Sequence, residues 1–215
     1  YKKNVSAEGK KEILSLDLNT IEYRSAKKAK FATLELTKTI DKVVDRFKVL
    51  VSGKDKAGEF YRKSFAALFT YVSNRIPEIT DEIYKIDDAM KAGFGWEHGP
   101  FQIWDAIGVE KGIEMMHAEG LKPADWVKEM LASGITSFYT ASNGNKQYYD
   151  QFSKVYKVIP GTENLVILDA LRADNKVWGN SDTTVVNLGN GILNLEFHTK
   201  MNTIGGGVIQ GSASE

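Results

Sequence analysis

No cysteine occurs among the 215 residues. Disulfide cross-links, thiolate nucleophiles and cysteine-ligated metals are therefore excluded, and the composition agrees with a reducing, cytoplasmic setting. There are only three histidines, with no His-x-x-x-His or carboxylate-rich spacing beside them, so no metal motif is present. Net charge is missing as well, because 28 basic and 28 acidic residues cancel. A chain without a basic excess lacks the electrostatic footprint for nucleic acid. No apolar run approaches the ~20 residues that a membrane span needs, and no secretory hydrophobic segment opens the chain. An initiator methionine is also lacking, and the sequence starts mid-pattern at Tyr1, as a piece excised from a longer protein would.

What is present is 42% hydrophobic, enough for one sizeable core or two small ones. Lys11 to Asp17 alternates apolar and polar residues, Leu18-Asn19-Thr20 supplies a turn, and Ile21 to Arg24 resumes a strand. Two strands alone are marginal, so this hairpin is expected to lie against something. Arg24 to Lys30 reads as a solvated basic linker. From Thr33 to Ser52 apolar residues recur at three and four, which predicts one amphipathic helix closed by Gly53. Glu59 to Ser73, apolar on more than one side, predicts the most buried helix. Pro77 then opens another, striped by Ile76, Ile79, Ile83, Ile86 and Met90.

The most distinctive stretch follows, from Ile86 to Gly108. Gly93 and Gly95 stop one helix and Gly99-Pro100 starts the next, so the segment reads as helix, tight elbow, helix. Phe94, Trp96, Phe101, Ile103, Trp104 and Ile107 crowd both sides and are expected to pin the turn. The structural residues of the elbow are thus Gly93, Gly95, Trp96, Gly99, Pro100 and Trp104. Two further helices, Val109–Glu119 and Pro123–Ala132, complete a helical bundle.

After Gly134 the composition turns to strands. Thr136–Thr140 and Lys146–Asp150 flank Asn143-Gly144, Lys154–Ile159 and Asn164–Asp169 follow, and Leu168–Arg172 reads as a brief helical turn. Thr183–Gly189 and Ile192–Phe197 flank Asn190-Gly191, the strongest hairpin signal in the chain. The fold class is therefore α+β, divided as residues 1–30 (hairpin and linker), 31–134 (helical domain), 135–181 (β-rich connector) and 182–215 (a further domain starting at Asp182).

The run Asp87-Asp88-Ala89-Met90, Gly93-Phe94-Gly95-Trp96, Gly99-Pro100-Phe101 and Trp104-Asp105 resembles the signature of the C-terminal helical domain of 3-hydroxyacyl-CoA dehydrogenases, the NAD-dependent enzymes of fatty-acid β-oxidation. The wider chain is similar to the middle of bacterial fusions of that dehydrogenase with an enoyl-CoA hydratase. The last hairpin, with Met201-Asn202-Thr203-Ile204, resembles the opening of the hydratase (crotonase) fold. This resemblance implies an upstream Rossmann domain and first helical domain, a downstream hydratase domain, acyl-CoA as substrate and NAD as cofactor of the parent, with no cofactor in this segment. His198 and Lys200 fall at a turn that lies beside CoA in the crotonase family, which implies a CoA contact there.

Catalytic residues are not expected within the chain. The dehydrogenase family carries a functional Asn in an Asn-Arg pair, but Asn74-Arg75 lies only about a dozen residues before Asp87, closer than the catalytic arrangement. That pair reads as a helix terminus, and the region as a second, non-catalytic helical copy. No Gly-x-Gly-x-x-Gly is present, and Gly205-Gly206-Gly207 follows no parallel strand. Asp81-Glu82 and Asp87-Asp88 are expected on helix surfaces. His98 is expected to bond a loop carbonyl, and His117 to lie on a partly exposed helix face. The alternative reading is a non-enzymatic protein-interaction module built on the elbow and hairpins.

Overall fold

The computed structural model describes residues 2–5, 9, 11–26, 29–142 and 144–213. Three short antiparallel sheets bracket a helical core. The first sheet is β1 (Lys2–Val5), β2 (Lys11–Leu16) and β3 (Tyr23–Ser25), with Lys3 opposite Ile13 and Leu16 opposite Tyr23. The added strand β1 is not legible in so short a polar run. Contrary to expectation, no other element packs extensively on this sheet among the described residues, and Val5 and Ile13 stay exposed. Lys27 and Lys28 of the expected linker lie outside the described residues, as do Tyr1, Ser214 and Glu215.

The helix expected over residues 33–52 is two helices, α1 (Ala32–Thr37) and α2 (Val43–Ser52). Thr37 and Thr39 donate their hydroxyls back to the Leu34 and Leu36 carbonyls, and the Arg46 Nε donates to the Ile40 carbonyl. These side-chain bonds compete with the helical ladder and end it. Helix α3 (Lys56–Asn74) buries Ala66 and Phe69 fully, but Phe60 and Tyr71 stay exposed, so it is not the most buried helix that its apolar residues on more than one side predict.

Pro77 does not open the next helix. Helix α4 spans Ile83–Phe94, because Ile76 enters the core from a turn, Ile79 faces solvent, and the Thr80 hydroxyl bonds both the carboxylate and the amide of Glu82. The buried stripe thus starts at Ile83. Helices α5 (Pro100–Ile107), α6 (Val109–Ala118) and α7 (Asp125–Ala132) follow, with Pro123 two residues ahead of α7 rather than in its first turn.

Strands β4 (Tyr139–Ser142), β5 (Asn145–Asp150) and β6 (Val155–Val158) form the second sheet, with Tyr139 opposite Tyr148 and Tyr149 opposite Tyr156. Asn143 of the expected turn is outside the described residues, while Gly144 has a positive φ of 74°. No strand forms over residues 164–169. Turn bonds from the Thr162 hydroxyl to the Ile159 carbonyl and from the Leu165 amide to the Thr162 carbonyl lead into α8 (Leu168–Asn175).

The third sheet is β7 (Lys176–Gly179), β8 (Thr183–Gly189) and β9 (Ile192–Phe197), closed at the expected Asn190-Gly191 turn, both residues at positive φ. Strand β7 pairs with β8, so this sheet begins ahead of Asp182. A 3-10 turn at Lys200–Asn202 and helix α9 (Gly206–Ala213) end the described chain.

The core is aromatic. Phe69 stacks on Trp104 at 4.8 Å and 4°, and Phe138 meets Phe101 at 5.0 Å and Trp104 at 4.9 Å. The Trp104 indole donates to the Val109 carbonyl at 3.0 Å. Helix α6 comes this close because residue 112 is glycine, where a Cβ would lie 2.1 Å from Trp104 Nε1.

Candidate functional site

The elbow exists, and a buried carboxylate pins it together with the buried rings of α5. Gly95 ends α4 in the left-handed region, its amide donating to the Lys91 carbonyl at 3.0 Å. Gly93 is an ordinary helical residue of the last turn and is not needed for the bend. Phe94 is 73% exposed and does not pack the turn, whereas Trp96, 36% exposed, borders an apolar pocket with Phe47, Phe65 and Ile103. Phe101, Ile103, Trp104 and Ile107 are buried as expected.

Asp87, expected on a helix surface, is completely buried. Its carboxylate accepts from the Phe101 amide at 2.9 Å, the Gln102 amide at 3.1 Å and the Tyr139 hydroxyl at 2.8 Å. Gly99, the residue preceding α5, has no side chain to cap that helix, so α4 supplies the cap from outside. The fit requires glycine, because a Cβ at Gly99 would sit 2.3 Å from Asp87 Cα. Gln102 adds a reciprocal bond, its Oε1 accepting from the Gly99 amide at 3.0 Å.

One helix further on, Asp105 repeats the device. It accepts from the Phe138 amide at 2.7 Å and the Tyr139 amide at 2.9 Å, which anchors the start of β4. The chain Asp87–Tyr139–Asp105 thus ties α4, α5 and β4 together. Burial pushes Asp87 up to about 6 and Asp105 up to about 7, in each case against the lowering effect of the amides that bind it. Burial, then the neighbouring Asp87, likewise pushes the Tyr139 phenol well above its ordinary value.

Beside this clamp lies a cleft of about 530 Å³ between α2, α5, the second sheet and α8. Asp105, Tyr139 and His98 all border it. His98 packs edge-on against Phe47 at 6.0 Å, instead of holding a loop carbonyl.

The other expected contacts are elsewhere. His198 Nε2 lies 2.8 Å from the Thr184 hydroxyl and 3.8 Å from a carboxylate oxygen of the buried Glu196, which Arg172 grips at 2.7 and 2.9 Å. His198 lines a separate cleft on the third sheet that Lys200, on the 3-10 turn, does not line. Asn74 ends α3, its amide donating to the Thr70 carbonyl, and Arg75 is the C-cap residue. Trp126 donates to the Ser73 carbonyl within the bundle. Among the described residues no His, Cys, Asp and Glu cluster could hold a metal ion, and no helix is long and apolar enough to cross a membrane.

Asp87, Asp105 and Tyr139 form the candidate site that the sequence did not single out. A signal existed, since Asp87 stands four residues after Ile83 and three before Met90, inside the apolar stripe of its helix.

Residues 54–147 match the model of the 3-hydroxyacyl-CoA dehydrogenase C-terminal domain. That span holds α3 to α7 and both clamp carboxylates. A Bacillus subtilis (strain 168) protein named as a probable 3-hydroxyacyl-CoA dehydrogenase is 37% identical over 201 residues, 93% of this chain and 25% of that protein. A Rickettsia felis protein named as a fatty acid oxidation complex trifunctional enzyme is 27% identical over 125 residues, 54% of this chain and 15% of its own length. A Rickettsia prowazekii protein of the same name is 30% identical over 88 residues, 41% of this chain and 12% of its own. The chain thus spans about a quarter of the first relative and less of the others. No solved structure matches it.

The match to a dehydrogenase domain over residues 54–147 raises the question of NAD. All three sheets are antiparallel, so the described residues form no parallel strand, helix, strand crossover of the kind that holds a dinucleotide. The Gly205-Gly206-Gly207 run opens α9, yet a Cβ at Gly207 would meet the Asp182 carboxylate at 2.3 Å. A carboxylate there opposes a pyrophosphate. The residues described do not fit NAD.

Proposed function

We propose that this chain is the second, non-catalytic helical segment of an NAD-dependent 3-hydroxyacyl-CoA dehydrogenase fused to an enoyl-CoA hydratase, acting in fatty-acid β-oxidation. The observation that carries the reading is the dehydrogenase C-terminal match over residues 54–147, which coincides with the helices joined by the Asp87 and Asp105 clamp. A segment that must hold two larger domains in register needs a rigid junction, and two buried carboxylates, each binding backbone amides on a neighbouring element, supply one. Its partners in this reading are an upstream Rossmann domain and first helical copy, and a downstream hydratase domain. In the parent, NAD binds upstream and receives the hydride from the 3-hydroxyacyl-CoA. His198 and Lys200 would touch the CoA of the hydratase half. Glu196 beside His198 disfavours a phosphate, which leaves Lys200 to hold it.

The test is turnover of acetoacetyl-CoA with NADH by the purified chain. No turnover is expected, and measurable turnover would overturn the positioning role. Calorimetry with CoA checks the lesser assignment, since saturable binding should vanish in Lys200→Ala.

The alternative, a protein-interaction module, is favoured by one observation. An apolar groove of about 560 Å³ between α3 and α4 leaves Tyr71, Ile79 and Phe94 exposed at its edge. A free-standing module should be monomeric or cleanly dimeric, whereas a segment cut from its neighbours should self-associate, which sedimentation distinguishes.

A further inference from the structure

The cleft beside the clamp has a chemistry that the positioning role does not use. Its wall is apolar and made of small or branched residues, Val44, Ala106, Ala141, Ile159 and Ala170, so the space stays open because three alanines face it. A volume of about 530 Å³ is within the range of small-molecule sites. Two cations border this apolar wall. Lys48 stands one helical turn after Val44 on α2 and has no ion-pair partner among the described residues. Lys146 of β5 reaches Asp169 only at 3.6 Å, with both side chains about half exposed or more, a pairing that water competes with readily.

Asp169 also lines the cleft and is shared between Lys146 at 3.6 Å and Arg172 at 3.2 Å, so it offsets Lys146 only in part, while the other carboxylates face the backbone. Both Asp105 oxygens are bonded to the Phe138 and Tyr139 amides, and Asp87 is bonded to the start of α5. Their charge is directed into the backbone. Gln102 adds a neutral donor, because its Oε1 is taken by the Gly99 amide while its Nε2 has no partner among the described residues. Donors and cations therefore border an apolar body site, of whose walls α5 and β4 are joined by the clamp.

We propose that this cleft binds a monoanionic organic acid with a compact apolar body, the acid group held by Lys48 and Lys146 and the body seated against Ala106, Ala141 and Ile159. The inference is carried by the cleft itself and does not rest on the dehydrogenase reading, so either stands if the other fails.

The experiment is a titration of the whole chain with phenylbutyrate and with neutral phenylbutanol, followed by calorimetry and by amide chemical shifts. Phenylbutyrate should bind about tenfold more tightly than the alcohol, the effect of two partly exposed ion pairs. Shifts should concentrate at Ala106, Ala141 and Ile159. The double variant Lys48→Gln, Lys146→Gln changes two exposed side chains and should bring the two ligands to parity with an unchanged circular dichroism spectrum. Equal affinity for acid and alcohol in the unmodified chain would overturn the proposal. So would a failure of both to bind, or shifts confined to the groove between α3 and α4.

Discussion

Replacing Asp87 with asparagine should change how stability depends on pH more than it changes stability itself. Burial raises the Asp87 carboxyl from 3.8 to about 6, so the folded protein binds its proton more tightly than the unfolded chain does. Between those two values stability falls as pH rises, because the native state must release a proton that the unfolded state has already lost. The full difference is on the order of 3 kcal/mol for this group. It is present in full below about pH 4 and is lost as the pH passes through about 6. An asparagine side chain cannot ionise and escapes this loss. It keeps one oxygen to accept from an amide of α5, and its own NH2 faces the remaining donors, at a pH-independent cost of about 1–3 kcal/mol. Urea unfolding of Asp87→Asn and the unmodified chain, followed by circular dichroism, should thus show the variant clearly weaker near pH 4. Near pH 8 it should be equal to or more stable than the unmodified chain. Stability curves that run parallel across this range would refute the assignment of Asp87 as a buried carboxyl whose ionisation opposes folding.

Three other outcomes test the same architecture. Gly99→Ala places a Cβ 2.3 Å from the backbone of α4 at Asp87, and should lower unfolding stability by about 2–3 kcal/mol in the same urea assay, with no rescue by pH. Tyr139→Phe removes the hydroxyl that donates to Asp87, so the Asp87 carboxyl should titrate above about 6 when followed by carbon NMR, while Asp105 keeps both of its backbone donors. Asp55 caps α3 by accepting from the Gly58 amide and also binds the amide and hydroxyl of Thr33, and these bonds, led by the Thr33 amide, hold it down to about 2. The stability it contributes is present above about pH 4 and lost as pH falls toward 2, so Asp55→Asn should flatten the acid limb of the unfolding curve.

The elbow was legible because its signals are local. Gly95 needs a positive φ, and Pro100 is favoured at the first helical position, whatever surrounds them. The same holds for Asn190-Gly191, whose backbone preferences alone select a tight hairpin. The break in the helix expected over residues 33–52 was hidden, because the apolar spacing continues through Leu36 and Ile40 although threonine side chains have already ended the ladder. Burial of aromatic residues was only half legible. Trp96 and Trp104 look alike in the chain, and one is 36% exposed while the other is completely buried.

The amino-acid sequence by itself determined the α+β composition, helix α3, the helix, elbow, helix unit and the closing hairpin, since each depends on contacts or backbone preferences within a few residues. Tertiary structure alone decided that Asp87 and Asp105 are buried clamps rather than solvated surface charges. Their partners lie 14 and 33 residues away, at Phe101 and Phe138, and a carboxylate's burial depends on where those amides are brought. The cleft with its two lysines is likewise a product of packing, because Lys48 and Lys146 become neighbours of one cavity only when α5 is tied to β4.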